Sequence, residues 1–236
     1  RNRRLEDALL HYQKGAACFL AVDFPNDYAR SLNRVANIQR MSGDFAGAQQ
    51  HLNQVIELLP ADNRNLILTY SVLGWVYFDQ SDWSNSRTSF ERALQFSRDF
   101  RDKGREATLL RDIGSTLQMQ SEFAYATLYY DRAASLFVEL DNQYELAITE
   151  MNLGAIYLHL RQWQESIDWL NRAHDRFQTL EDPYYLGMNY TNQGIAYRGL
   201  KRFVEALRCF ETSVGLLSDT GHLYWTANAL DELGVT

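Results

Sequence analysis

Proline is nearly missing from this chain: Pro25, Pro60 and Pro183 are the three in 236 residues. So few breaks in the backbone ladder leave room for many helices. The Val-Ile-Thr alternation that marks half-buried strands is scarce as well. Cysteine is limited to Cys18 and Cys209, in no metal-type spacing. No run of eighteen apolar residues occurs, so no segment reads as a membrane-spanning helix, and no signal-peptide pattern opens the chain. The histidines, His11, His51, His159, His174 and His222, are scattered without a His-Glu-x-x-His spacing. A Gly-x-Ser-x-Gly elbow and a Walker-type phosphate loop are both lacking. Carboxylates such as Glu145, Glu150 and Glu165 read as surface charge on helix faces. No catalytic, cofactor-binding or metal-binding site is therefore expected. Basic residues are the minority, 23 against 30 acidic, for a net charge of −7. That balance argues against a nucleic-acid surface here, because duplex binding is dominated by cations meeting phosphates.

What is present is a core and a period. Hydrophobic residues make up 46% of the chain, which excludes a disordered segment. Gly74, Gly114, Gly154, Gly194 and Gly234 stand 40 residues apart, and one period earlier the position falls on Ala36, 38 residues before Gly74. Nine residues after each stands an aromatic: Phe45, Trp83, Phe123, Trp163, Phe203. Twelve after comes a small residue: Ala48, Ser86, Ala126, Ser166, Ala206. Sixteen after comes a bulky one: Leu52, Phe90, Tyr130, Leu170, Phe210. Steps of three and four keep these on one helical face. The pattern predicts antiparallel helix hairpins, each burying its open apolar face against the next. Helices are expected at about 3–20, 26–41, 45–58, 64–80, 84–99, 104–120, 124–139, 143–160, 164–179, 184–200, 204–218 and 223–236. Breaks are expected at Pro60, at Asp141, at 181–183 and at 219–221, whereas 98–103 has no clear breaker.

These hairpins divide 1–236 into a single repeat domain. A partial repeat at 1–22 precedes repeats at about 23–60, 61–100, 101–140, 141–180 and 181–220, and a partial repeat at 221–236 follows. The chain begins at Arg1 rather than Met, and the expectation is a segment of a longer protein whose array continues. Apolar end faces then predict end-to-end self-association. Cys18 and Cys209 fall between four and five repeats apart. With helices packed roughly 8–10 Å from their neighbours, no internal disulfide is expected, and free thiols predict a cytoplasmic protein.

The order Leu73-Gly74, Tyr77, Trp83, Ser86, Phe90, Ala93 resembles the tetratricopeptide repeat, and the resemblance covers nearly the whole chain. The usual repeat is about 34 residues, so each hairpin here is longer. The acidic turns with Tyr144-x-x-Ala147 and the matching stretch at 181–187 resemble the long variant found in bacterial signalling proteins such as MalT-like activators, related signal-transduction ATPases and CHAT proteins. The resemblance implies an all-α, right-handed superhelical solenoid. It implies a non-enzymatic protein- or peptide-binding scaffold of a larger bacterial signalling or regulatory protein. The alternatives it carries are the effector-sensing arm of a MalT-like transcription activator and the regulatory arm of a CHAT-type protease.

In such arrays the first helix of each repeat lines the concave face. Carried onto this chain, the candidate groove residues are Arg40, Trp75, Phe78, Arg111, Met119, Met151, Leu158, His159, Ile195 and Arg198. Apolar side chains interrupted by arginines suit an extended peptide or helix with hydrophobic anchors and acidic groups. The competing reading is that Trp75 and Phe78 only pack within the superhelix. Arg30 and Asn37 match two positions of carboxylate-clamp repeats, but Asn33 stands where a lysine is required, and no clamp is expected.

Overall fold

Helices of seventeen residues joined by turns of three generate the forty-residue spacing. In the computed structural model, which describes residues 2–220 and 223–234 and the side chains of 7–218 and 225–234, the chain divides into two compact units, 1–122 and 123–236. The first holds α1 (Asn2–Ala21), α2 (Pro25–Met41), α3 (Phe45–Leu58), α4 (Leu66–Asp79), α5 (Trp83–Asp99) and α6 (Lys103–Met119). The second holds α7 (Phe123–Glu139), α8 (Gln143–His159), α9 (Trp163–Thr179), α10 (Pro183–Gly199), α11 (Phe203–Thr220) and α12 (Leu223–Gly234). Among the described residues there is no strand. The expected helices are all present; α11 continues through Asp219 and Thr220, past the expected break, and Gly221 lies outside the described residues.

One turn geometry is used again and again. After α5, the Arg101 N–H bonds to Arg98 O at 3.0 Å and the Asp102 N–H to Ser97 O at 2.8 Å, with Arg101 at φ 54°. This is the Schellman closure, which satisfies the last carbonyls of a helix. It recurs after α1, α2, α4, α6, α7, α8, α9 and α10. Among the described residues, eight of the nine in the left-handed region are not glycine: Asp23, Ser81, Arg101, Ser121, Asp141, Arg161, Glu181 and Lys201; the ninth is Gly43. The next residue then caps the following helix. Asp44, Asp82, Asp102, Asn142 and Asp182 accept from the backbone N–H of Gly47, Asn85, Arg105, Glu145 and Tyr185. Each such cap contributes about 1 kcal/mol. The boundary at 98–103, which has no proline or glycine breaker, is therefore made by Arg101 and Asp102.

The shortened 38-residue period has a local cause. α3 and α4 are 14 residues each, and the connection between them is longer. Asn63 folds it by donating its N–H to Pro60 O and accepting from the Asn65 N–H on its side chain at 2.9 Å.

Within each unit every helix packs on the next in sequence, and the even-numbered helices also touch each other: α2 with α4 and α4 with α6, then α8 with α10 and α10 with α12. Lines of inner helices are set by the glycines. A Cβ on Gly74 would lie 2.5 Å from the Phe90 ring, one on Gly154 2.7 Å from Leu170, and one on Gly194 2.5 Å from Phe210. In these three hairpins the sixteen-residue offset in the sequence is thus a direct contact. Ser166 adds a hydrogen bond from its hydroxyl to Gly154 O at 2.9 Å.

Candidate functional site

The candidate residues lie on the even-numbered helices, all but the buried Met151 at least partly exposed, and the structure joins some of them by specific contacts. In the first unit Arg40 donates to Asp79 of α4 at 2.6 Å and to Asn37 at 3.2 Å. The Trp75 indole N–H donates to Asp112 of α6 at 3.2 Å. Asp112 is 2% exposed, and Arg111 pairs with it at 3.1 Å. Trp75 also packs edge-on against Phe78 and Phe90, and Phe78 against Trp83. Trp75 and Phe78 are therefore half-buried and anchored into their own hairpin, while Met41 and Met119, the last residues of α2 and α6, are more than half exposed. Asp112 is the residue that ties this face together, and nothing in the spacing of the sequence singles it out.

In the second unit, Leu158 and Ile195 are half-buried. Met151 is 4% exposed and belongs to the core cluster with Ala147, Leu170, Ala173 and Phe177. His159 is exposed and stacks on Phe123 with ring centroids 5.4 Å apart. Arg198 pairs with Glu232 of α12 at 2.5 Å and lies over the Phe210 ring. Glu150 overturns its reading as surface charge: it is 5% exposed and accepts from Arg176 of α9 at 2.8 Å. Arg176 also donates to Gln143.

A separate concavity opens in the first unit, at the N-terminal ends of α4 and α6 beside α2. Two adjoining cavities, of about 380 and 280 Å³, share Arg34, Leu68 and Arg105. Arg30 and Arg64 line the first, Tyr12, Asn33 and Asn37 the second. Arg64 pairs with Asp102 at 2.7 Å. Burial alone raises the Asp102 pKa, but the Arg64 hydrogen bond, the Arg105 N–H and both guanidinium charges outweigh it and hold the carboxyl below its ordinary value.

Both cysteines are free thiols, Cys18 exposed and Cys209 buried. Burial, with the nearby Glu205 charge, pushes the Cys209 thiol up to about 11. Among the described residues no cluster of three His, Cys, Asp or Glu is placed to hold a metal ion, and no helix is long and apolar enough to cross a membrane.

Successive helix hairpins, stacked through glycine-to-bulky contacts, define an all-α repeat scaffold. Residues 145–219 match the family model described as tetratricopeptide repeat. That match runs from α8 into α11, about a third of the chain, and the same hairpin architecture continues through the other described helices. The fold of the chain is similar to BtubC from P. vanneervenii, with a TM-score of 0.79 and 19% identity over 92% of each chain. It is similar also to a Rap protein solved in complex with competence and sporulation factor, with a TM-score of 0.73 and 14% identity over 99% of this chain and 70% of that one. A third is a signal transduction ATPase with a tetratricopeptide repeat sensor from Pyrococcus horikoshii, with a TM-score of 0.70 and 13% identity over 97% of this chain and 40% of that one. No curated protein matches the chain by sequence.

Proposed function

We propose that this chain is a non-enzymatic scaffold that binds a peptide or protein segment along the outward face of its even-numbered helices. It serves as a module of a larger bacterial signalling or regulatory protein in the cytoplasm. The observation that carries this is the face itself. Met41 and Met119 stand exposed at the ends of α2 and α6, the two helices that pack on α4 with its half-buried Trp75 and Phe78, and Arg40 and Arg111 come from the same two helices. A rigid aromatic floor, exposed methionines and positioned arginines suit a partner with hydrophobic anchors and acidic groups. The Rap relative, solved with a bound factor, and the ATPase relative, whose repeats are called a sensor, are consistent with the same use. The likeness to the second also accommodates an effector-sensing arm within a longer regulator. Self-association through end faces belongs to this reading, since α1 exposes Leu10, Phe19 and Leu20.

The test is selection of binders from a displayed peptide library, followed by measured affinities. Selected peptides are expected to combine apolar anchors with acidic residues and to bind Met119→Glu at least tenfold more weakly than Met119→Leu. Equal affinity for the two variants, or no saturable peptide at all, refutes the proposal.

A further inference from the structure

We infer that the concavity between α2 and the N-terminal ends of α4 and α6 is a binding site for an oxyanion group, a phosphate or a carboxylate pair, adjoining the peptide-binding face at Asn37. Three observations converge on it. The first is charge. Four arginines line the larger cavity against one aspartate, Asp102, in a chain whose net charge is −7. Like charges lining one concavity favour an anion between them.

The second is that two of the four guanidiniums make no side-chain hydrogen bond. Arg64 is taken by Asp102 at 2.7 Å, and Arg30 by Asp27 and Asn65. Arg34 lies over the Tyr12 ring at 5.5 Å. Among the described residues, neither Arg34 nor Arg105, the two arginines shared by both cavities, makes a side-chain hydrogen bond or a close ion pair. A planar guanidinium with free N–H groups facing a cavity is built to grip an oxyanion with two parallel bonds.

The third is Asn33. Its side chain is 1% exposed and lines the smaller cavity, and neither its amide nitrogen nor its amide oxygen has a hydrogen-bond partner. An unpaired buried amide is costly, and leucine would fill the same volume without that cost. Its side chain forms part of the wall of the smaller cavity, which Arg34 and Arg105 also line. Ile38, Leu68 and Val72 form an apolar wall of the smaller cavity, while Arg34 and Arg105 are themselves exposed to solvent. Arg34, Arg64 and Arg105 lie off the positions that carry the peptide-binding face, so the site stands whether or not that reading holds.

The test uses the whole chain with inorganic phosphate and with succinate, each titrated at constant ionic strength and at about pH 8, where phosphate is mostly dianionic. Side-chain Nε–H resonances are followed by NMR. Saturable shifts of Arg34 and Arg105, with Arg161 and Arg208 unmoved, are expected with at least one of the two anions. Response to phosphate alone assigns a phosphorylated ligand, and response to succinate alone a carboxylate one. Response to both supports the shared oxyanion chemistry. The double variant Arg34→Gln/Arg105→Gln is expected to weaken binding at least tenfold, and Asn33→Leu several-fold while melting no lower than the parent. Failure of both anions to bind saturably overturns the inference, as does wild-type affinity in either variant.

Discussion

The glycine contacts can be weighed by a pair of substitutions within the second unit. Gly194 and Gly215 both lie inside helices, in α10 and α11. A Cβ on Gly194 would sit 2.5 Å from Phe210 Cε1, about an ångström inside ordinary contact, whereas one on Gly215 meets nothing within 4 Å. Alanine gains about 1 kcal/mol over glycine in a helix interior, and that gain is common to both sites, so it cancels in the difference. What remains is the cost of pushing a methyl against the Phe210 ring, which is 0% exposed and has nowhere to retreat. Overpacking of this kind costs about 1–3 kcal/mol. Gly215→Ala is expected to stabilise by about 0.5–1 kcal/mol. Gly194→Ala should fall about 1–3 kcal/mol below it. Urea titrations followed by circular dichroism give both numbers, provided the denaturant slopes agree with the parent. A difference under about 0.5 kcal/mol would show that the ring moves freely and that the close approach does not hold the hairpin.

Three further expectations follow from the turns and the buried groups. Arg101→Gly removes the strain of a non-glycine residue at φ 54° and should stabilise by about 0.5–1 kcal/mol after the greater freedom of the unfolded glycine is deducted; a loss of stability in a thermal melt contradicts the turn geometry. Cys18 should react with a thiol reagent far faster than Cys209, whose thiol is pushed up to about 11. Because burial disfavours the thiolate, only roughly a thousandth of Cys209 is ionised at about pH 8, and its rate should climb about tenfold per pH unit towards 11; comparable rates for the two thiols at pH 8 refute this. Arg176→Met should destabilise by about 1–3 kcal/mol, discounted because Arg176 is itself partly exposed, since it leaves Glu150 buried without its cation. Adding Glu150→Gln should return part of that loss, and a double variant no better than the single one argues against the pair.

The helices were legible because each contact across a hairpin is also a fixed distance in sequence. Gly154 meets Leu170 and Gly194 meets Phe210 sixteen positions on, so the packing leaves a period that can be counted. Side chains whose partners sit on another helix at no fixed offset leave no such trace. Glu150 has the spacing of an exposed carboxylate, and only Arg176 arriving from α9 makes it internal. Trp75 is partly exposed, yet its indole is committed to Asp112, 37 positions away. The arginine concavity was invisible for a similar reason. Arg64 comes from an irregular connection, Arg105 from a first turn and Arg34 from the flank of α2, and no single helical face contains them. The boundary at 98–103 was obscure because Arg101 takes the left-handed position there, as Gly43 does after α2, and arginine gives no turn signal in sequence.

Asp102 finishes α5 with its backbone N–H and starts α6 with its carboxylate, and Asp44, Asp82, Asn142 and Asp182 do the same at their own joints. Successive rods therefore share a hinge pin. Fraying on one side of a joint strips the restraint from the other, so melting spreads along the covalent chain as well as through the stacked side chains.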